Sequence, residues 1–132
     1  MPSIRARDLI RDTHPVYASP ETSIREAARL MAEHNVGSIP VVDREGRLVG
    51  IFTERDLTRL VARGESLEKP LKEAMTPNPV TAHPDDPLPL LAYKMMEHNI
   101  RHIPVVDEHG KLLGVVSIRR VLRHMLPREE WP

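Results

Sequence analysis

Residues 33–57 read EHNVGSIPVVDREGRLVGIFTERDL, and residues 97–121 read EHNIRHIPVVDEHGKLLGVVSIRRV. The two stretches align without a gap when Pro40 is set against Pro104, an offset of 104 − 40 = 64 residues. Self-similarity at a fixed offset marks a repeated supersecondary unit, and each such unit needs its neighbour to bury its apolar face. The match continues upstream, with Pro15 and Val16 against Pro79 and Val80, Ala18 against Ala82, Pro20 against Pro84 and Met31 against Met95. Almost the whole chain is therefore a tandem duplication.

Each copy predicts the same local elements. Ser23 and Glu26 have the spacing of a capping box, serine capping and glutamate reaching back. Ile24, Ala27, Ala28, Met31 and Ala32 then form one apolar stripe at helical spacing. In the second copy Asp86 is expected to cap and Pro87 to open the helix, with Leu88, Leu91, Ala92, Met95 and Met96 as the stripe. Asn35 and Asn99 suit the left-handed position that ends a helix. The runs from Ile39 and Ile103, both reading Ile-Pro-Val-Val, predict short β-branched strands. Asp43 to Gly46 and Asp107 to Gly110 predict hairpin turns, followed by strands 47–53 and 111–117. Helical spacing resumes over 54–62 and 118–126, with Leu57, Leu60, Val61 and Val121, Leu122, Met125 turned inward. Residues 15–17 and 79–81 predict a short strand ahead of each first helix, and the polar stretch 64–74 reads as the connection. The unit is β-α-β-β-α, twice over, in an α+β fold.

Composition narrows the class. The chain has 132 residues and 40% hydrophobic content, enough for one compact domain or two small units sharing a core. Only 3% of residues are aromatic, so the core must be aliphatic. Basic and acidic residues both number 19, and a zero net charge argues against a general nucleic-acid binder. The chain has no cysteine, which excludes disulfides, thiolate metal sites and cysteine nucleophiles. No run approaches the ~20 apolar residues of a membrane span, and the first residues lack a signal-peptide core. A cytoplasmic location is expected. A unit of ~60 residues with so few large side chains would be unstable alone. Two copies packed sheet to sheet about a pseudo-twofold axis would bury both apolar faces.

The repeated Ile-Pro-Val-Val-Asp, the glycine after it, and the phrases GIFTERD (50–56) and GVVSIRR (114–120) resemble a tandem pair of CBS domains, together a Bateman module. The resemblance covers roughly residues 7–127, with one repeat over 7–64 and the other over 65–127. It implies a stand-alone regulatory module, not an enzyme, that senses energy status by binding adenine nucleotides such as AMP, ADP or ATP in clefts between the repeats. No other cofactor is required. It also implies a homodimer, formed through exposed helix faces for which Leu60, Met96 and Leu122 are candidates, and an effector protein that reads the bound state.

The family phrase is glycine, an apolar residue, any residue, threonine or serine, two further residues, then aspartate. By resemblance the hydroxyl meets phosphate and the aspartate takes the ribose diol. Side-chain chemistry fits those roles. A carboxylate has two acceptor oxygens for two hydroxyls, and a hydroxyl at a helix start sits beside free N–H groups that suit phosphate. The first phrase is complete at Thr53 and Asp56. The second carries Arg120, which has donors only. Asymmetric sites follow. The expected nucleotide site comprises Gly50, Ile51, Thr53 and Asp56, with Val80, Thr81, Arg101, His102, Ile103 and Pro104 from the other repeat. A weaker, empty or anion-adapted second site would use Val16, Tyr17, Ser38, Ile39, Pro40, Val116, Ser117, Arg119 and Arg120.

The same residues admit other readings. Thr53 and Asp56 also make an ordinary helix cap with a first-turn acid. Degenerate sites would leave a structural dimerisation module, and S-adenosylmethionine is an alternative ligand. Arg119, Arg120, Arg123 and His124 form a local basic stretch that keeps nucleic acid as a further alternative. His98 and His102 are four apart, but Asn99 ends the helix between them, so no metal site is expected. No nucleophile elbow, P-loop or dinucleotide fingerprint is present.

Overall fold

A computed structural model describes residues 3–11 and 14–126. In chain order the elements are α1 (Ala6–Ile10), α2 (Ile24–His34), β1 (Ser38–Val42), β2 (Leu48–Thr53), α3 (Glu54–Ala62), a 3-10 turn (Leu71–Glu73), β3 (Thr76–Pro77), α4 (Leu88–His98), β4 (His102–Val106), β5 (Leu112–Ser117) and α5 (Ile118–Met125). Helix-strand-strand-helix occurs twice, in the mixed α+β class expected. Packing divides the chain into Val16–Pro79 and a second unit that joins the residues before Val16 to those from Val80 onward. These packing units are offset from the sequence repeats 7–64 and 65–127, and residue 127 lies outside the described residues.

In the first unit, β1 and β2 pair antiparallel and β3 adds to the far edge of β2. Ile24, Ala27 and Met31 of α2 pack with Ile39, Val41, Phe52, Leu60 and Leu71 in its core. In the second unit, β4 and β5 pair antiparallel. Its core holds Leu88, Leu91 and Met95 of α4 with Ile103, Val105, Val116 and Val121, and adds Ala6, Leu9 and Ile10 from α1. The local signals behave as their chemistry demands. Asn35 and Asn99 adopt φ of 53° and 52° and close their helices on backbone carbonyls. Asp43 and Asp107 each accept two N–H groups inside the hairpin turns, and Gly46 and Gly110 take the positive φ that these turns need.

Tertiary context overrides the sequence reading in several places. The strands expected at 15–17 and 79–81 are reduced to single parallel bridges, Ala18 with Val41 and Ala82 with Val105. Ala18 N–H donates to the Pro40 carbonyl at 3.0 Å, and Ala82 N–H to that of Pro104 at 2.9 Å. The proline nitrogens face this same edge and have no N–H to carry the ladder back toward Val16 or Val80. Glu26 does not complete its capping box. Ser23 Oγ accepts the Glu26 N–H at 3.0 Å, but the carboxylate turns to Arg29. Asp86 is not a helix cap either, because Pro87 holds that position. Its carboxylate accepts the His83 N–H at 3.0 Å, closing the turn 83–86 as Thr22 closes 19–22 by accepting from Ser19.

Among residues expected inward, Leu60 and Val121 are buried but Val61, Leu122 and Met125 are exposed; Leu122 therefore fits its other expectation, as a surface candidate, and Leu60 does not. Met96 of the α4 stripe lies 78% exposed. The supposed connection 64–74 also contributes to a core, with Leu71 fully buried and Leu67 packed beside it.

The stretch 64–74 has a counterpart at the start of the chain. Residues 69–72 are threaded onto the first repeat, with Ile24 N–H donating to Lys69 O at 2.9 Å, Leu71 N–H to Thr22 O at 2.8 Å and Lys72 N–H to Pro20 O at 3.0 Å. Residues 4–7 do the same to the second repeat: Leu88 N–H to Ile4 O at 3.0 Å, Ala6 N–H to Asp86 O and Arg7 N–H to Pro84 O, both at 2.9 Å. Each repeat is thus completed by the segment that precedes the other one.

Candidate functional site

Thr53 ends β2 and caps α3 from an extended conformation, φ −120° and ψ 165°. Its hydroxyl accepts the Asp56 N–H at 3.3 Å and donates to Asp56 Oδ2 at 3.1 Å, while Oδ2 also accepts the Thr53 N–H at 2.9 Å. The two side chains therefore form a closed capping box that holds the carboxylate at the helix start. Oδ1 of Asp56 has no partner among the described residues and remains an acceptor. Glu54 N–H donates to Gly37 O at 3.0 Å, fixing the helix start beside the first residue of β1. Ser38 is paired in register with Thr53 and only 5% exposed. Ile39 faces Phe52 and Pro40 faces Ile51 in the same register.

Gly50 lies between Val41 on one side and Pro77 on the other. A Cβ there would stand 2.5 Å from Met75 Sδ and 3.0 Å from the Thr76 carbonyl. The glycine thus admits a neighbouring strand of the chain itself, and Ile51 pairs with Thr76 in the same strand. Val16 packs against the first core, whereas Tyr17 stands 59% exposed.

The corresponding turn in the second unit has one hydrogen bond where the first has three. Ser117 Oγ accepts the Arg120 N–H at 3.2 Å, and no acid returns the bond. The Arg120 guanidinium instead donates, through Nη1, to the carbonyl oxygen of Leu9 at the end of α1. Arg119 is exposed. His102 is half-buried and paired with Ser117, while Ile103 faces Val116, both fully buried, and Pro104 faces Val115. Arg101 exposes its side chain, and its carbonyl accepts the Ile118 N–H at 2.8 Å. Val80 packs on the second core.

Thr81 is half-buried, and its carbonyl accepts from Lys94 Nζ at 3.0 Å. Lys94 also bonds Asp86 Oδ2 at 3.0 Å. Desolvation pushes the Asp86 carboxyl up, but the His83 N–H and Lys94 outweigh it and hold the group below its usual value. Sequence reasoning missed Lys94. The signal was the repeat itself, which sets Lys94 against Leu30, an apolar residue on the first core.

Thr53 and Asp56 are thus brought together, as are His102 and Ser117, and Ser38 with Thr53. Val80, Thr81 and residues 101–104, expected to join Asp56, belong to the second unit, and Val16, Tyr17 and residues 38–40 to the first. Among the described residues, no three His, Asp or Glu side chains are placed to hold a metal ion, and no helix is long and apolar enough to cross a membrane.

The CBS domain family profile matches residues 6–63 and again 71–127. L-aspartate semialdehyde sulfurtransferase of Methanocaldococcus jannaschii is 38% identical over 109 residues, covering 83% of this chain but 21% of that protein. The chain thus spans about a fifth of that relative's length. The CBS domain pair of protein MJ0100, solved with 5'-methylthioadenosine and S-adenosyl-L-methionine, is 35% identical with a TM-score of 0.86, covering 94% of this chain and 97% of that one. CBS domain protein PAE2072 from Pyrobaculum aerophilum, complexed with AMP, is 36% identical with a TM-score of 0.82, covering 92% and 98%.

Proposed function

The chain belongs to the CBS domain family, and we propose that this regulatory ligand-binding module takes an adenine nucleotide of the AMP, ADP or ATP class at the turn of Thr53 and Asp56. The observation that carries the proposal is the closed box. It fixes a carboxylate with an unengaged Oδ1 beside a hydroxyl and the N-terminus of a nine-residue helix. A ribose hydroxyl suits the first and a phosphate suits the third, with the Thr53 hydroxyl joining the phosphate once its proton turns away from Asp56 Oδ2. Val80, Thr81, Arg101, His102, Ile103 and Pro104 are proposed to complete the site. Ligand binding would shift the population of conformers that a partner protein reads. A homodimer is proposed through exposed apolar helix residues, of which Met96 and Leu122 qualify. Sedimentation of Met96→Lys beside the parent protein tests it, and an unchanged mass would discard Met96 as a contact.

A second reading has its own support. Glu54 and Asp56 both lie in the first turn of α3, which weakens the site for a polyphosphate. The MJ0100 pair holds S-adenosyl-L-methionine and 5'-methylthioadenosine. All these ligands share an adenosine ribose, so Asp56 serves either reading.

Thermal melts with AMP, ADP, ATP, S-adenosylmethionine, methylthioadenosine and GTP, on parent and Asp56→Ala, separate the two. A ligand at 100 times its Kd adds about 2.7 kcal/mol, several degrees for a domain of this size. A shift with phosphate-bearing adenosines that disappears in Asp56→Ala supports the first reading. A shift confined to the sulfur-bearing adenosines supports the second. No shift in protein freed of carried-over ligand, checked by mass spectrometry, defeats both.

A further inference from the structure

We propose that Arg120 turns the second copy of the phrase into an internal lock, which fastens the N-terminal segment to the second repeat and leaves the chain with one nucleoside site. The ligand part of this rests on the reading of Asp56 as the ribose acceptor. The lock itself rests on geometry within one unit. Arg120 reaches across 111 positions of sequence to donate to the Leu9 carbonyl. That carbonyl lies in the last turn of α1, where the helix leaves its acceptors unpaired and its dipole end is negative, so a guanidinium is the matching group. The aspartate found at the same place in the first copy could not make this bond, since a carboxylate would face a carbonyl.

The neighbouring contacts show that the bond closes an already built clasp. Leu9 and Ile10 are in the second core. A Cβ on Gly114 would stand 2.8 Å from Ile10 Cγ2 and 2.9 Å from Ile10 Cβ, so the glycine is what admits this side chain. Arg5 donates to the Asp85 carbonyl at 2.6 Å and Arg7 pairs with the Asp85 carboxylate. Arg120 is then neither a degenerate ribose contact nor a free anion contact. It is a specificity-determining residue that exchanges a ligand position for a fastening.

Two measurements on the full chain test this. The first is amide exchange at Ala6 and Arg7, whose N–H groups bond to the second repeat, with amides of β1 as the internal control. Arg120→Ala should speed exchange at Ala6 and Arg7 about tenfold or more, the expected effect of losing a charge-assisted bond, with β1 unchanged. Arg120→Lys, which keeps a cationic donor, should recover part of the protection and covers the case in which the alanine variant does not fold. Unchanged exchange at both amides in Arg120→Ala would overturn the lock. The second is AMP stoichiometry by titration calorimetry. One AMP per chain, lost in Asp56→Ala, is expected, and two AMP per chain would overturn the single-site inference while leaving the proposed function standing. No AMP binding at all would defeat the nucleotide reading, and the exchange result would then decide the lock by itself.

Discussion

At Thr53 the start of α3 is closed from both sides: the threonine takes an N–H from Asp56, and Asp56 takes one back from Thr53. At Ser117 the start of α5 is closed from one side, and the residue in the aspartate's place fastens α1 instead. The backbone of the two turns is nearly the same, with capping residues at φ −120° and −91° and ψ 165° and 153°. The difference between Asp56 and Arg120 therefore sets a local, reciprocal cap in one unit against a long-range structural tie in the other, on helix starts of the same kind.

The largest expected effects test whether the two completing segments are equivalent. Leu9→Ala and Leu71→Ala each empty a buried site and should each cost about 2–5 kcal/mol. Denaturant melts with comparable losses would support equivalence. A negligible loss for Leu9→Ala alone would show that the N-terminal segment is dispensable where the linker is not.

Gly114 and Gly50 meet neighbours of different stiffness. Gly114→Ala should cost about 1–3 kcal/mol, because its Cβ would meet the branched Ile10 at Cβ itself. Gly50→Ala should cost less, since the side chain nearest to it is the end of the flexible Met75, with only the Thr76 carbonyl held rigidly by. Equal losses in the same melts would break this ranking.

Smaller again is the difference between the caps. Thr53→Ala should cost about 1–2 kcal/mol and Ser117→Ala about 0.5–1 kcal/mol, because only the first belongs to a reciprocal box. The reverse order would mean that Arg120 contributes to the cap as well as to the clasp.

The least effect is expected from acid. The Asp86 carboxyl titrates below its ordinary 3.8 in the folded chain, so its stabilisation is complete above that value and is lost as the pH falls beneath it. Thr22 stands at the equivalent place and does not titrate. Asp43 and Asp107 are both lowered, each chiefly by a backbone N–H of its hairpin, so they cancel between the copies. Amide exchange near pH 3 should therefore loosen the turn 83–86 before the turn 19–22, and simultaneous loosening would remove Asp86 as the cause.

The features legible in the sequence were those fixed within a few residues of themselves. The hairpin turns at Asp43 and Asp107, the left-handed Asn35 and Asn99, and the caps at Thr53 and Ser117 all depend on partners two to five positions away, and the repeat is read by laying the chain on itself at an offset of 64. The Thr53 and Asp56 pair was legible for the same reason. Only the tertiary structure decided that residues 4–10 complete the second repeat, that Gly50 and Gly114 make room for Met75 and Ile10, that Lys94 holds the Thr81 carbonyl, and that Arg120 is tied to Leu9. Periodicity and capping rules report what a residue does to its own helix or strand. They carry no information about a carbonyl 111 residues away, whose position is set by how apolar faces pack and not by any local preference.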